Sequence, residues 1–325
     1  MKKLGLAVIL LIVLAALADA LVVARVHADP WRVGAVLVAL ALLLGAFVVL
    51  TDGRCLRALR HWAERSWRIA LALPLLLLIP YLIYALGTGT FGWRPLGKLA
   101  AFVLAPTAAL LPDRLRHRQR ATWRDFVAMA AMAVPLPAHW LSDTFVWPEE
   151  LYFFLPLIAV CAGIYGFAVV RNLEDVGYSL LWRLRDITTG VASFILFSIL
   201  AIPLGYALHF IRFHPHRVAW GALGAQFAGI YLTIAIPEEV LFRGILQNLL
   251  VKTIRRGPSG RYGLLIAAVI FGASHFHHPP VPNWRYCIMA TLAGIFYGIA
   301  YQTRRRTASS ALTHALVDTL WHFWF

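Results

Sequence analysis

The sequence predicts an all-α fold, a polytopic transmembrane helical bundle of about nine to eleven membrane segments. Three observations carry that prediction. Apolar residues make up 61% of the 325 positions and the mean hydropathy is +0.72, above the ~45–50% apolar content usual for soluble domains. The apolar residues come in blocks of about 16–22, the length a helix needs to cross ~30 Å of hydrocarbon. Lysines and arginines gather in the short gaps between blocks. In lipid every backbone polar group must be satisfied internally, which a helix does by itself.

Eleven apolar segments follow one another, near 4–24, 33–50, 68–90, 96–111, 125–140, 150–170, 187–211, 219–251, 262–277, 285–303 and 307–325. The first follows Lys2 and Lys3 and resembles a signal peptide, with Ala18-Asp19-Ala20 as a cleavage-like site. Its apolar run continues past that point, so it reads as an uncleaved first helix. The fourth and fifth are short and proline-broken by Pro106, Pro135 and Pro137, which makes them candidates for re-entrant segments. Arg54, Arg57, Arg60 and Arg65 follow the second segment, and Arg114, Arg116, Arg118, Arg120 and Arg124 the fourth. Arg171, Arg183 and Arg185 follow the sixth; Lys252, Arg255, Arg256 and Arg261 the eighth; Arg304, Arg305 and Arg306 the tenth. Every second loop is thus basic, while one intervening loop carries Asp143, Glu149 and Glu150. The alternation places the N-terminus in the cytoplasm and the C-terminus outside. The loop with Arg212 and Arg217 is the exception to the pattern.

The same charges account for the formal net charge of +15, so membrane topology replaces the nucleic-acid partner that such a charge would suggest in a soluble protein. Cys55, Cys161 and Cys287 are scattered and predict no disulfide framework. His209, His214 and His216 read as a solvated interfacial cluster, and Arg304-Arg305-Arg306 as an orientation anchor.

Ionisable residues inside apolar spans cost at least ~2.5–3.5 kcal/mol at the bilayer centre, so they face partners or cavities. They divide the chain into an N-terminal helical region, 1–186, of unassigned role, and a core, 187–325. Three clusters mark the core. In Pro237-Glu238-Glu239-Val240-Leu241-Phe242-Arg243, Glu239 and Arg243 are i,i+4 neighbours able to form an ion pair, while Glu238 points about 100° away. Pro237 removes the backbone bond to the Thr233 carbonyl and is expected to bend the helix there. In Phe271-Gly272-Ala273-Ser274-His275, Phe271 and His275 share a face. His314, Asp318 and His322 fall at i, i+4 and i+8, one stripe of one helix. Measured along helices from the nearest basic cytoplasmic residues, Glu238 and His275 lie about 21 Å deep, Asp318 about 18 Å and His314 about 12 Å, so the groups can meet.

Glu-Glu-x-x-x-Arg, Phe-x-x-x-His and His-x-x-x-Asn/Asp, in this order on successive membrane helices, resemble the signature of the type II CAAX prenyl protease and bacteriocin-processing family of intramembrane peptidases. The matching residues are Glu238, Glu239 and Arg243, then Phe271 and His275, then His314 and Asp318. The resemblance covers about 219–325. It implies an intramembrane endopeptidase that hydrolyses a peptide bond in a membrane-associated or lipidated substrate. Glu238 would activate a water with help from His275, and Glu239 would be held by Arg243. His314 and Asp318 would complete the site and stabilise the oxyanion. Some family members carry Asn where this chain has Asp318. The expected mechanism needs no cofactor; a zinc ion on Glu238, His275 and His314 is the alternative, although the chain has no His-Glu-x-x-His. The expected surroundings are membrane lipid, a peptide or protein substrate and a bacterial inner membrane. Two other readings use the same residues: a non-enzymatic bacteriocin-immunity or partner-binding protein of the same fold, and a proton-coupled transporter with a Glu–His relay.

Overall fold

The computed structural model describes residues 29–116, 119–148, 151, 153–254 and 259–325. The expected first segment, Arg118, Glu149, Glu150, Arg255 and Arg256 lie outside the described residues. Among the described residues there are eleven helices and no strand. They form two compact units, one of residues up to Arg118 with Thr122–Glu174, the other of Gln119–Ala121 with Asp175–Phe325. The division at residue 186, drawn from the intramembrane polar residues, is functional and remains a proposal.

The first unit contains α1 (Pro30–Val49), α2 (Gly53–Arg65), α3 (Trp67–Thr88), α4 (Trp93–Leu110), α5 (Trp123–Ala133) and α6 (Phe154–Val170). Asp29 caps α1, its carboxylate accepting from the Trp31 N–H, with Pro30 in the first turn where its missing N–H costs nothing. Val36, Leu40, Leu43 and Phe47 form the buried stripe of α1, which packs on α3. Leu73–Leu78 tightens α3 into a 3₁₀ stretch. Together with α7 below, α1, α3 and α4 (extended to Asp113) are long and apolar enough to cross a membrane.

Two expectations change in this unit. Pro106 does not break the fourth segment, because α4 continues through it; membrane helices tolerate proline where neighbours re-satisfy the freed backbone groups. The basic stretch after α1 is itself a helix, α2, rather than a plain loop. Asp52 caps it through the N–H groups of Arg54 and Cys55. The fifth segment does end early, at Ala133, before the prolines at 135 and 137, and turns follow. A buried ion pair, Arg171 Nε to Asp125 Oδ1 at 2.9 Å, ties α5 to the end of α6.

The second unit contains α7 (Leu184–Ala207), α8 (residues 220–253), α9 (Ser259–Ala273), α10 (Trp284–Arg304) and α11 (Thr307–Trp324). At one end Arg306 Nε meets Asp186 Oδ2 at 2.9 Å and Arg304 Nε donates to Thr189 Oγ1 at 2.6 Å, fastening the α10–α11 turn to the start of α7. The arginine triplet is therefore structural here, with Arg305 adopting the left-handed conformation that ends α10. The α9–α10 pair approaches closely at two glycines. A Cβ on Gly272 would stand 2.5 Å from the Cys287 carbonyl oxygen and would also collide with Thr291. One on Gly294 would lie 3.0 Å from the Ala268 backbone.

Candidate active site

Residues 220–253 do not form a uniform α-helix. Tyr231–Ala235 and Val240–Gln247 are wider π-type turns on either side of the short α-turn Ile236–Glu239. Pro237 sits between them, so the expected bend takes the form of widened turns flanking the acidic pair. An inserted residue of this kind rotates the following side chains relative to a plain helix and recurs at functional sites.

The rotation leaves the two glutamates in different surroundings. The side chain of Glu239 is fully buried, and its Oε1 lies 3.2 Å from Arg243 Nη1. The guanidinium also donates from Nη2 to the Gly294 carbonyl at 3.3 Å. It rests over the rings of Phe271 (4.4 Å), Tyr297 (5.2 Å) and Phe242 (5.9 Å). A planar, weakly hydrated cation suits such an aromatic cage better than an ammonium does. Glu238, by contrast, keeps 33% of its side chain exposed and lines a cavity of about 470 Å³.

On α11, His314 is buried with both ring nitrogens facing carboxylates. Nδ1 lies 3.0 Å from Glu239 Oε1, and since an ionised carboxylate only accepts, Nδ1 donates there. Nε2 then faces Asp318 Oδ2 at 3.3 Å and Glu238 Oε2 at 3.9 Å. Glu239 is thus the organising carboxylate: one oxygen takes both Arg243 and His314. Asp318, 35% exposed, opens onto the same cavity as Glu238.

His275 lies just past the end of α9, in a turn. Its Nδ1 is 2.8 Å from the Phe271 carbonyl, which only accepts, so Nδ1 donates and Nε2 of the neutral ring carries the lone pair. The ring lines the cavity with Glu238, His314, Asp318 and His322. The structure therefore gathers Glu238, His275, His314 and Asp318 at one cavity and sets Glu239 and Arg243 behind them. The His314–Asp318–His322 stripe faces that cavity along its whole length.

Among the described residues no three His, Cys, Asp or Glu side chains are grouped to hold one ion. His314 directs one nitrogen at Glu239 and the other at two carboxylates.

One helix of the site went unread in the sequence. The face of α10 made by Tyr286, Met289, Ala290, Ala293 and Tyr297 walls the cavity. Tyr297 stacks on His314 at 4.6 Å between centroids and 19° between planes, and Tyr286 packs on His275 at 4.6 Å. The spacing i, i+3, i+4, i+7, i+11 is a helical face, with small residues between two tyrosines. That pattern was available in the sequence, but alone it describes any buried stripe.

Comparison with known proteins bears on the same segment. Residues 220–320 match the family described as type II CAAX prenyl endopeptidase Rce1-like. The uncharacterized protein YpbD of Bacillus subtilis (strain 168) is 27% identical over 175 residues, covering 50% of this chain and 79% of YpbD. No solved structure matches the chain significantly. The segment that matches this family, residues 220–320, is the one that carries Glu238, Glu239, Arg243, His275, His314 and Asp318.

Proposed function

We propose that this protein is a membrane peptidase of the CAAX-protease type that hydrolyses a peptide bond in a membrane-associated or lipidated substrate, using Glu238 to activate water without a metal ion. The peptidase class rests on the family match. The observation that supports the residue assignment is the single cavity onto which Glu238, His275, His314 and Asp318 open from two helices and a turn.

In this reading a water held between Glu238 and His275 Nε2 gives its proton to the Glu238 carboxylate as its oxygen attacks the scissile carbonyl carbon. The carbonyl π-bond opens and the oxygen takes up negative charge. His314, protonated at Nε2, donates to that oxyanion, while Asp318 holds Nε2 in place before substrate enters. As the intermediate collapses, the C–N bond breaks and the proton on Glu238 passes to the leaving amine. The products are a carboxylic acid and an amine, and Glu238 returns to its starting state. Glu239 and Arg243 touch no reacting atom; they fix the height and orientation of His314.

The test uses the purified protein in proteoliposomes with a fluorogenic peptide library, offered with and without a lipid anchor. Wild type cleaves members of the library and Glu238→Gln, still folded and inserted, loses at least about 10³-fold in kcat, as the removal of an essential base requires. Cleavage by that variant at the wild-type rate excludes the reading.

A further inference from the structure

Resting on that peptidase reading, we infer that Tyr297 is a positioning residue for the reaction, whose ring sets the plane of the His314 imidazole and so aims Nε2 at the Glu238–Asp318 side of the cavity. The geometry comes from two sides. Tyr297 is buried and lies nearly parallel to His314, 19° between planes at 4.6 Å. The Arg243 guanidinium rests over the same ring at 5.2 Å. One phenol ring therefore contacts both partners of Glu239, the cation that pairs with its carboxylate and the imidazole that donates to it.

The need for such a wall follows from the hydrogen bonds. Nδ1 of His314 is fixed by one contact, to Glu239. Hydrogen bonds tolerate some bending, so this contact and the one from Nε2 to Asp318 at 3.3 Å still let the ring tilt, and a tilt carries Nε2 away from Asp318. A flat ring stacked on one face removes the freedom, because tilting the imidazole drives it into the phenol. Phe271 meets His314 nearly at right angles, 6.0 Å between centroids and 83° between planes. That contact is too distant to replace the stack. Tyr297 sits at the inner end of the α10 face. Tyr286, eleven positions earlier and about 20° round the helix, stands against His275 at the other end. The same helix face thus backs both imidazoles of the cavity.

The claim concerns the ring plane and not the hydroxyl, which makes it separable from a role as acid or donor. Steady-state cleavage is measured in proteoliposomes for wild type, Tyr297→Phe, Tyr297→Leu and Tyr297→Met, using the library peptide that wild type cleaves fastest. Each variant is first checked for monodispersity and an unchanged melting profile. Tyr297→Phe keeps kcat within about threefold, and Tyr297→Leu and Tyr297→Met lose about 30–100-fold in kcat with KM within twofold, the scale expected when a catalytic group is misplaced by about 1 Å. The two aliphatic variants differ in shape, so a folding defect in one leaves the other to decide. Wild-type kcat in a folded aliphatic variant overturns the inference, as does an equal loss in Tyr297→Phe. If wild type cleaves nothing, or Glu238→Gln cleaves normally, the peptidase reading itself has failed, a result distinct from either outcome at Tyr297.

Discussion

At the scale of single residues, the site turns on the unequal treatment of two adjacent glutamates. Glu239 is sealed with Arg243 in an aromatic cage, and Glu238 faces a cavity. Removing Arg243 leaves the buried Glu239 charge with His314 as its remaining partner; breaking a buried pair costs about 3–5 kcal/mol, whereas replacing both partners by neutral groups costs much less. Arg243→Met should therefore lower the detergent melting temperature sharply, and the double variant Glu239→Gln with Arg243→Met should recover most of the loss in the same measurement. Asp318 offers a second prediction. If it serves by holding His314 Nε2 at 3.3 Å, an amide oxygen serves nearly as well, and Asp318→Asn should retain at least a tenth of wild-type kcat. Asp318→Ala should lose about 10²–10³-fold, the range found when a group that orients or stabilises developing charge is removed. Equal losses in both variants would tie the function of Asp318 to its charge.

At the scale of elements, the segment 220–253 shows how local irregularity positions chemistry. Two π-type stretches bracket Pro237, Glu238 and Glu239, and the Arg243–Glu239 pair expected from i,i+4 spacing survives the widened turn. The α9–α10 contact is the other decisive element. Cys287 and Thr291 lie against Gly272, with Thr291 Oγ1 donating to the Cys287 carbonyl at 2.7 Å. Gly272→Val forces the helices apart and should cost about 1–3 kcal/mol, as overpacking does. Because Phe271 and His275 flank that contact, the same variant should also reduce cleavage more than it reduces the melting temperature of the inserted protein. A melting temperature equal to that of wild type would contradict the close packing.

At the scale of the whole molecule, metal dependence and membrane orientation each carry a prediction. The metal-free mechanism predicts full cleavage after exhaustive chelation, with metal content verified by elemental analysis; loss of activity restored by zinc alone would replace it. The loop charges predict that alkaline phosphatase fused after Phe325 is active in a bacterial host; an inactive fusion that becomes fluorescent when exchanged for green fluorescent protein would invert the orientation. Each unit brings its own helices into a compact body, and the candidate site lies within the second. Composition alone established an all-helical membrane protein, since apolar blocks of spanning length leave the backbone no other way to satisfy its hydrogen bonds. The order of Glu238-Glu239, His275 and His314–Asp318 along the chain indicated the family, and helix spacing indicated the Arg243–Glu239 pair. How completely Glu239 is sealed, how His314 divides its two nitrogens, and that α10 supplies Tyr297 and Tyr286 as the wall were decided by tertiary packing. These depend on contacts between helices tens of residues apart, and the period of one helix names a face without naming what that face will meet.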